Sequence, residues 1–152
     1  MPEILRSIGT IARALDSISN IEFKQYDLTK GQYLYLVRIY EHPGIITDHL
    51  ANLLTVDRTT AARAVQKLVN QGFVRKQSAT NNRKNKELYL TEQGAQVYPH
   101  IQRENTYSNQ VALTDLTPSE ATELAAFLAK VSNRVTADFE QVKKGQTRPY
   151  PH

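Results

Sequence analysis

The chain has 152 residues, 40% of them apolar, no cysteine, and 19 Lys+Arg against 15 Asp+Glu. That length suits one domain with or without dimerisation extensions, and the lack of Cys excludes disulfides, thiolate chemistry, zinc ribbons and thiol redox sensing within the chain. No run approaches the roughly 18 apolar residues of a membrane span. The first ten residues, MPEILRSIGT, lack a basic segment followed by a long apolar one, so no secretory signal and a cytoplasmic location are expected.

Ile4, Leu5, Ile8, Ile11, Ala12, Leu15 and Ile18 recur every three or four residues, which predicts an amphipathic helix over 2–19. Residues 21–28 read as a connector. Thr29 and Gln32 have the spacing of a capping box, predicting a helix from Thr29 to about Tyr40 through Leu34, Leu36, Val37 and Ile39. His42-Pro43-Gly44 stops it. Thr47 is placed to cap a short helix over 48–54, with Leu50, Ala51 and Leu54 inward. Thr55-Val56 makes a tight connection, and Asp57 is a good N-cap for the next helix, Thr59 to Gln71, which has neither Pro nor Gly.

In that helix Ala61, Ala64, Val65, Leu68 and Val69 share one face, while Thr59, Arg63, Gln66, Lys67 and Asn70 point the other way. Gly72 sits where a glycine ends a helix. A short strand is expected over 73–77, a polar turn over 78–86, and a returning strand over 87–90, where polar and apolar residues alternate. Two short helices followed by a strand, a basic loop and a strand make a winged helix-turn-helix.

Thr91 is placed to cap a long helix that fades near Leu113, weakened slightly by Gly94 and kinked between Ala95 and Pro99. Thr117-Pro118-Ser119-Glu120 is a complete start signal, with an N-cap, a Pro at the first position and a Glu at the third. The helix it opens carries Ala121, Leu124, Leu128, Val131, Val135, Phe139 and Val142, and Lys143 and Lys144 suit its C-terminal dipole. Residues 145–152 read as a flexible tail.

The fold class is therefore mainly α with a small antiparallel β wing. A winged helix-turn-helix lobe is expected over 29–91 and a helical dimerisation region over 1–28 plus 92–144. The stripes on the first and last helices need a partner, and a two-fold homodimer covers both, because such an interface is self-complementary.

Charge points to the ligand. From Arg58 to Lys86 the chain carries eight basic residues and no acidic one, and the remainder has 11 basic against 15 acidic. A solvated surface interleaves both signs, so a one-signed segment is the footprint of a polyanion site. Residues near the start of the exposed helix face, Thr59, Thr60, Arg63 and Gln66, are placed to meet base edges. Arg58, Lys67, Arg75 and Lys76 are better placed for phosphates. Arg83 and Lys84 belong to the loop, with Arg83 at its tip aimed at a minor groove. A two-fold dimer calls for double-stranded operator DNA with pseudo-palindromic half-sites about 10 base pairs apart.

The order of six helices with a wing after the fourth resembles the MarR family of bacterial transcriptional regulators. The match is most specific at Asn82-Arg83-Lys84-Asn85-Lys86-Glu87-Leu88-Tyr89-Leu90-Thr91-Glu92-Gln93-Gly94, where the family shows Asp-Arg-Arg and then Leu-Thr-Glu-x-Gly. Asp57-Arg58-Thr59-Thr60 with Arg63, Leu68 and Gly72 is similar to the family's recognition helix. The resemblance implies a homodimer that binds operator DNA, a repressor released by a small, often aromatic effector held between the DNA-binding lobe and the dimerisation helices. Asn82 departs from the family's wing Asp, and offers its neighbouring Arg a neutral acceptor in place of a charge-assisted one.

Other chemistry is weakly represented. The four His residues form no metal-ligand pair at helical spacing, so no metal site and no cofactor are expected. No nucleophile elbow, P-loop or dinucleotide fingerprint is present, which argues against an enzyme. Tyr26, Tyr33, Tyr35 and Tyr40 cluster on the second helix and its approach. They suit core packing, and Tyr33 and Tyr40 are the candidates for lining an effector pocket. A winged-helix module that binds protein and not DNA is the alternative reading of the fold. The one-signed segment favours DNA.

Overall fold

The computed structural model describes residues 1–79 and 82–151, without the side chains of Ala79, Asn82 and Arg83. Six helices and one two-stranded antiparallel sheet follow in order: α1 (Leu5–Glu22), α2 (Gln32–Glu41), α3 (Thr47–Leu54), α4 (Arg58–Asn70), β1 (Val74–Ala79), β2 (Asn82–Leu90), α5 (Glu92–Ala112) and α6 (Pro118–Lys143). The chain forms two compact units, Met1–Ser108 and the residues from Asn109 onward. No helix among the described residues is long and apolar enough to cross a membrane.

The core of the first unit gathers Leu36 and Ile39 of α2, Leu50 of α3, Val65 and Leu68 of α4, and Leu88 of β2. Each Leu or Ile buried this way contributes about 1.5–3 kcal/mol. Phe23 and Leu28 before α2, and Val97 and Ile101 of α5, join the same cluster. The apolar stripe of α1 does not: Ile4, Leu5, Ile11, Leu15, Ile18 and Ile21 are all exposed.

Several boundaries differ from the sequence expectation. α1 starts at Leu5 and continues to Glu22, and a 3₁₀ turn over Lys24–Tyr26 replaces most of the expected connector. Thr29 does not cap α2. Lys30 and Gly31 are left-handed (φ 58° and 77°), so the helix cannot begin before Gln32. Gln32 is buried, and its amide donates to the Ala64 carbonyl of α4 at 3.2 Å instead of closing a box. Thr47 is the first residue of α3 and extended Ile46 is its N-cap.

Thr91 does cap α5: the Gly94 N–H donates to its hydroxyl at 3.1 Å, and that hydroxyl donates to the Gly72 carbonyl at 2.6 Å. Gly94 is a packing requirement more than a weakness. A Cβ there would lie 2.3 Å from the Phe73 carbonyl oxygen. α5 continues past Pro99 to Ala112.

The wing is longer than expected. Its register runs from Val74 opposite Leu90 to Ser78 opposite Lys86 and shifts at Ala79, which pairs with Asn82. Much of 78–86 is thus strand. Ser78, Lys84, Asn85 and Lys86 are all polar, so alternation cannot reveal the strands here. Ile45, ahead of α3, adds a bridge to Leu88, with the Gly44 N–H on the Leu88 carbonyl and the Leu88 N–H on the Ile45 carbonyl, both at 2.9 Å.

In the second unit α6 opens with the complete capping box. The Glu120 N–H donates to the Thr117 hydroxyl at 3.1 Å, and the Thr117 N–H donates to the Glu120 carboxylate at 2.9 Å. α6 has no buried residue: Leu124, Phe127, Leu128, Val135 and Val142 are exposed. Beyond α6, Arg148 pairs with Asp138 at 2.6 Å and lies over the Tyr150 ring.

Candidate nucleic-acid interface

α4 shows why one helix can be both anchor and probe. Ala61, Val65 and Leu68 are fully buried, with Ala64 and Val69 half-buried beside them. Its end is sealed by a left-handed Gly72 (φ 85°): the Gly72 N–H bonds the Val69 carbonyl and the Phe73 N–H bonds the Leu68 carbonyl, each at 3.0 Å. Its start follows a turn at left-handed Thr55, where the Val56 N–H returns to the Ala51 carbonyl at 3.0 Å. Asp57 is the N-cap residue, and its carboxylate accepts from the Thr60 hydroxyl. That bond, helped by the Arg63 charge, holds the Asp57 carboxyl below its ordinary value of 3.8.

The exposed face of α4, the start of α3 and the wing enclose an open groove of about 480 Å³. Thr59, Ala62, Arg63 and Gln66 line it from α4, Arg58 from the first position of that helix, and Ile46, Thr47 and Asp48 from the α3 side. The wing contributes Lys76, Lys84, Asn85 and Lys86. Among the described residues, five cationic side chains thus line the groove with one carboxylate.

The polar groups here are ordered by one another. Lys76 donates to the Gln66 side-chain oxygen at 2.9 Å, and the Gln66 amide donates to Asn70 at 2.9 Å. Lys86 donates to Ser78 at 2.6 Å. Arg58 pairs with Asp48 at 2.6 Å. Among the described residues the Arg63 and Lys67 side chains make no hydrogen bond or ion pair, although Arg63 feels the Asp57 charge.

The structure brings together Arg58, Thr59, Arg63, Gln66, Lys76 and Lys84 from the sequence-derived set. Thr60 and Lys67 are exposed on α4 outside the groove lining. Arg75 lies elsewhere. Strand alternation sends Lys76 toward α4 and Arg75 to the opposite face of the wing, where its guanidinium sits 4.5 Å above the Tyr89 ring and donates to Gln77 at 2.8 Å. The expectations for Arg83 at the wing tip and for Asn82 concern side chains outside the described residues. Sequence reasoning overlooked Thr47, Asp48, Asn85 and Lys86. Lys86 stood in the basic run and was findable. Asp48 gave no signal, because its partner Arg58 lies across the helix-turn.

Tyr33 and Tyr40 share one face of α2, two turns apart. Tyr33 is buried against Phe23, centroids 5.0 Å apart. Burial raises its phenol pKa, and the Ser19 side chain hydrogen bonds it. Tyr40 is 46% exposed and stacks on Tyr98 of α5, 3.6 Å between centroids.

The comparisons agree with this architecture. The sequence pattern of the MarR family matches residues 28–86. The chain is 56% identical over 150 residues to the uncharacterized HTH-type transcriptional regulator YybA of Bacillus subtilis (strain 168), covering 99% of this chain and 100% of that one. A SlyA-like transcription regulator from Listeria monocytogenes is 53% identical with a TM-score of 0.94, over 99% of this chain and 100% of that one. A putative MarR family regulator from the same organism, solved with a 26mer DNA, is 53% identical with a TM-score of 0.95 and the same coverage. The wing, the helix-turn-helix and these likenesses over nearly the whole length lead to one conclusion: this chain belongs to the MarR family of winged helix-turn-helix transcriptional regulators.

Proposed function

We propose that the chain is a cytoplasmic, homodimeric regulator, not an enzyme, that binds a pseudo-palindromic double-stranded operator and acts as a repressor released by a small aromatic effector. One observation carries the DNA reading: a single groove presents Arg58, Arg63, Lys76, Lys84 and Lys86 around the exposed face of α4. Such a surface exchanges condensed counterions for phosphate contacts. Thr59, Arg63 and Gln66 read base edges, Arg bidentate on guanine and Gln on adenine, and Thr60 supports them by fixing Asp57 at the start of α4. Arg58, Lys67, Lys76 and Lys84 hold phosphates, and Arg83 enters a minor groove; Arg75, on the opposite face of the wing, is not part of this surface. The likeness to a relative solved with a 26mer DNA supports the DNA-binding reading.

Residues 29–91 act as the DNA-binding lobe, and 1–28 with 92–144 as the dimerisation region. The exposed apolar stripes of α1 and α6 support that division, since each needs a second surface. Tyr33 and Tyr40 mark the effector site. The test is anisotropy of wild type on promoter fragments from the source genome and on scrambled DNA, across a salt series. A preferred fragment whose log affinity falls linearly with log salt is the expected outcome. Equal, salt-independent binding to all fragments, or none, would favour a protein-binding winged-helix module instead.

A further inference from the structure

Among the described residues, Asp48 is the one carboxylate in a groove otherwise lined by cations and neutral side chains. It stands in the first turn of α3, and Arg58 opens α4, ten residues later. Their pair, Asp48 Oδ1 to Arg58 Nε at 2.6 Å, spans the two helices of the helix-turn-helix, and both side chains remain exposed. A carboxylate has about four acceptor positions, so one contact with Arg58 leaves it able to accept more. A carboxylate in a polyanion site is unfavourable against phosphates and against acceptor-bearing base edges such as guanine O6 and N7. Apart from its pair with Arg58, what it can accept from on DNA is a donor, the exocyclic amine of cytosine or adenine.

We infer that Asp48 is a specificity-determining residue: held in place by Arg58, it accepts from a cytosine or adenine amine in the major groove and penalises sequences that present an acceptor there. This rests on the DNA-binding reading above. Arg58 is then a positioning residue for Asp48, in addition to any phosphate it meets. Specificity of this kind comes from the repulsive term against wrong partners as much as from the attractive one.

The experiment selects a random-sequence duplex library with wild type, Asp48→Ala, Asp48→Asn and Arg58→Gln, sequences the bound fraction, and checks folding by thermal melting. Wild type should enrich a motif with cytosine or adenine at one position of each half-site. Asp48→Ala should make that position degenerate while the rest of the motif persists. It should also bind unselected DNA more tightly, by up to about fivefold, the scale of one exposed charge interaction. Asp48→Asn should shift the same position toward adenine, the base an amide pairs bidentately. Arg58→Gln should broaden it. If folded Asp48→Ala and Asp48→Asn both select the wild-type motif unchanged, the inference is overturned and the DNA-binding reading stands. If wild type itself enriches no motif, that reading fails first.

Discussion

Lys76 of the wing donates to the side-chain oxygen of Gln66 in the middle of α4, at 2.9 Å. The bond joins the strand that positions a cation to the helix that faces the groove, and it orients the Gln66 amide toward Asn70. A ligand that takes up Lys76 therefore changes what Gln66 can offer.

Lys76→Ala should weaken binding to operator and scrambled DNA alike. It should also reduce the slope of log affinity against log salt by about 0.9, the increment for one phosphate no longer neutralised. Anisotropy titrations at several salt concentrations measure both. A loss confined to operator DNA would make Lys76 a base-reading residue.

Arg63 has no ion-pair or hydrogen-bond partner among the described residues and lines the groove one turn into α4. Arg63→Ala should cost about 1–3 kcal/mol on the operator and much less on random DNA. Equal losses on both would reassign it to phosphate.

Gly94→Ala should destabilise the first unit by about 1–3 kcal/mol, the range for overpacking a filled site. The added Cβ would meet a backbone carbonyl, that of Phe73, which cannot swing aside as a side chain can. Chemical denaturation reads this directly, and an unchanged midpoint would mean that Phe73 and α5 separate freely.

Deleting residues 117–152 should abolish the dimer, because it removes Leu124, Phe127, Leu128, Val135 and Val142 together. Sedimentation velocity distinguishes the outcomes. A truncated chain that still sediments as a stable dimer would place the interface elsewhere.

The Asp57 carboxyl is held low by the Thr60 hydroxyl. Its folded pKa lies below the unfolded one, so its stabilising contribution is present above about pH 4 and is lost as pH falls through the folded value. Thr60→Val should move the Asp57 titration, followed by carboxyl NMR, upward toward 3.8. No movement would mean that the N-terminus of α4 and Arg63 set the shift.

Much of this molecule is written locally. The capping box at Thr117, the apolar face of α4, the glycine that ends it and the one-signed run from Arg58 to Lys86 all depend on groups within a turn or two of one another, so residue order alone determines them. What escaped were partners distant in the chain. Gln32 looks like half of a capping box until the Ala64 carbonyl of another helix accepts from its side-chain amide. Gly94 looks like a weak point of a helix until the Phe73 carbonyl is packed against it. Arg75 and Lys76 are adjacent and equally basic, and only the docking of the wing decides that one faces α4 and the other stacks on Tyr89. Asp48 lies outside the basic run and joins the groove because the turn at Thr55 folds α3 beside Arg58. Propensity and periodicity are properties of neighbouring residues. Which side chain completes a buried hydrogen bond, or which charge enters a groove, is settled by the loop closures and core burial that bring separate elements together.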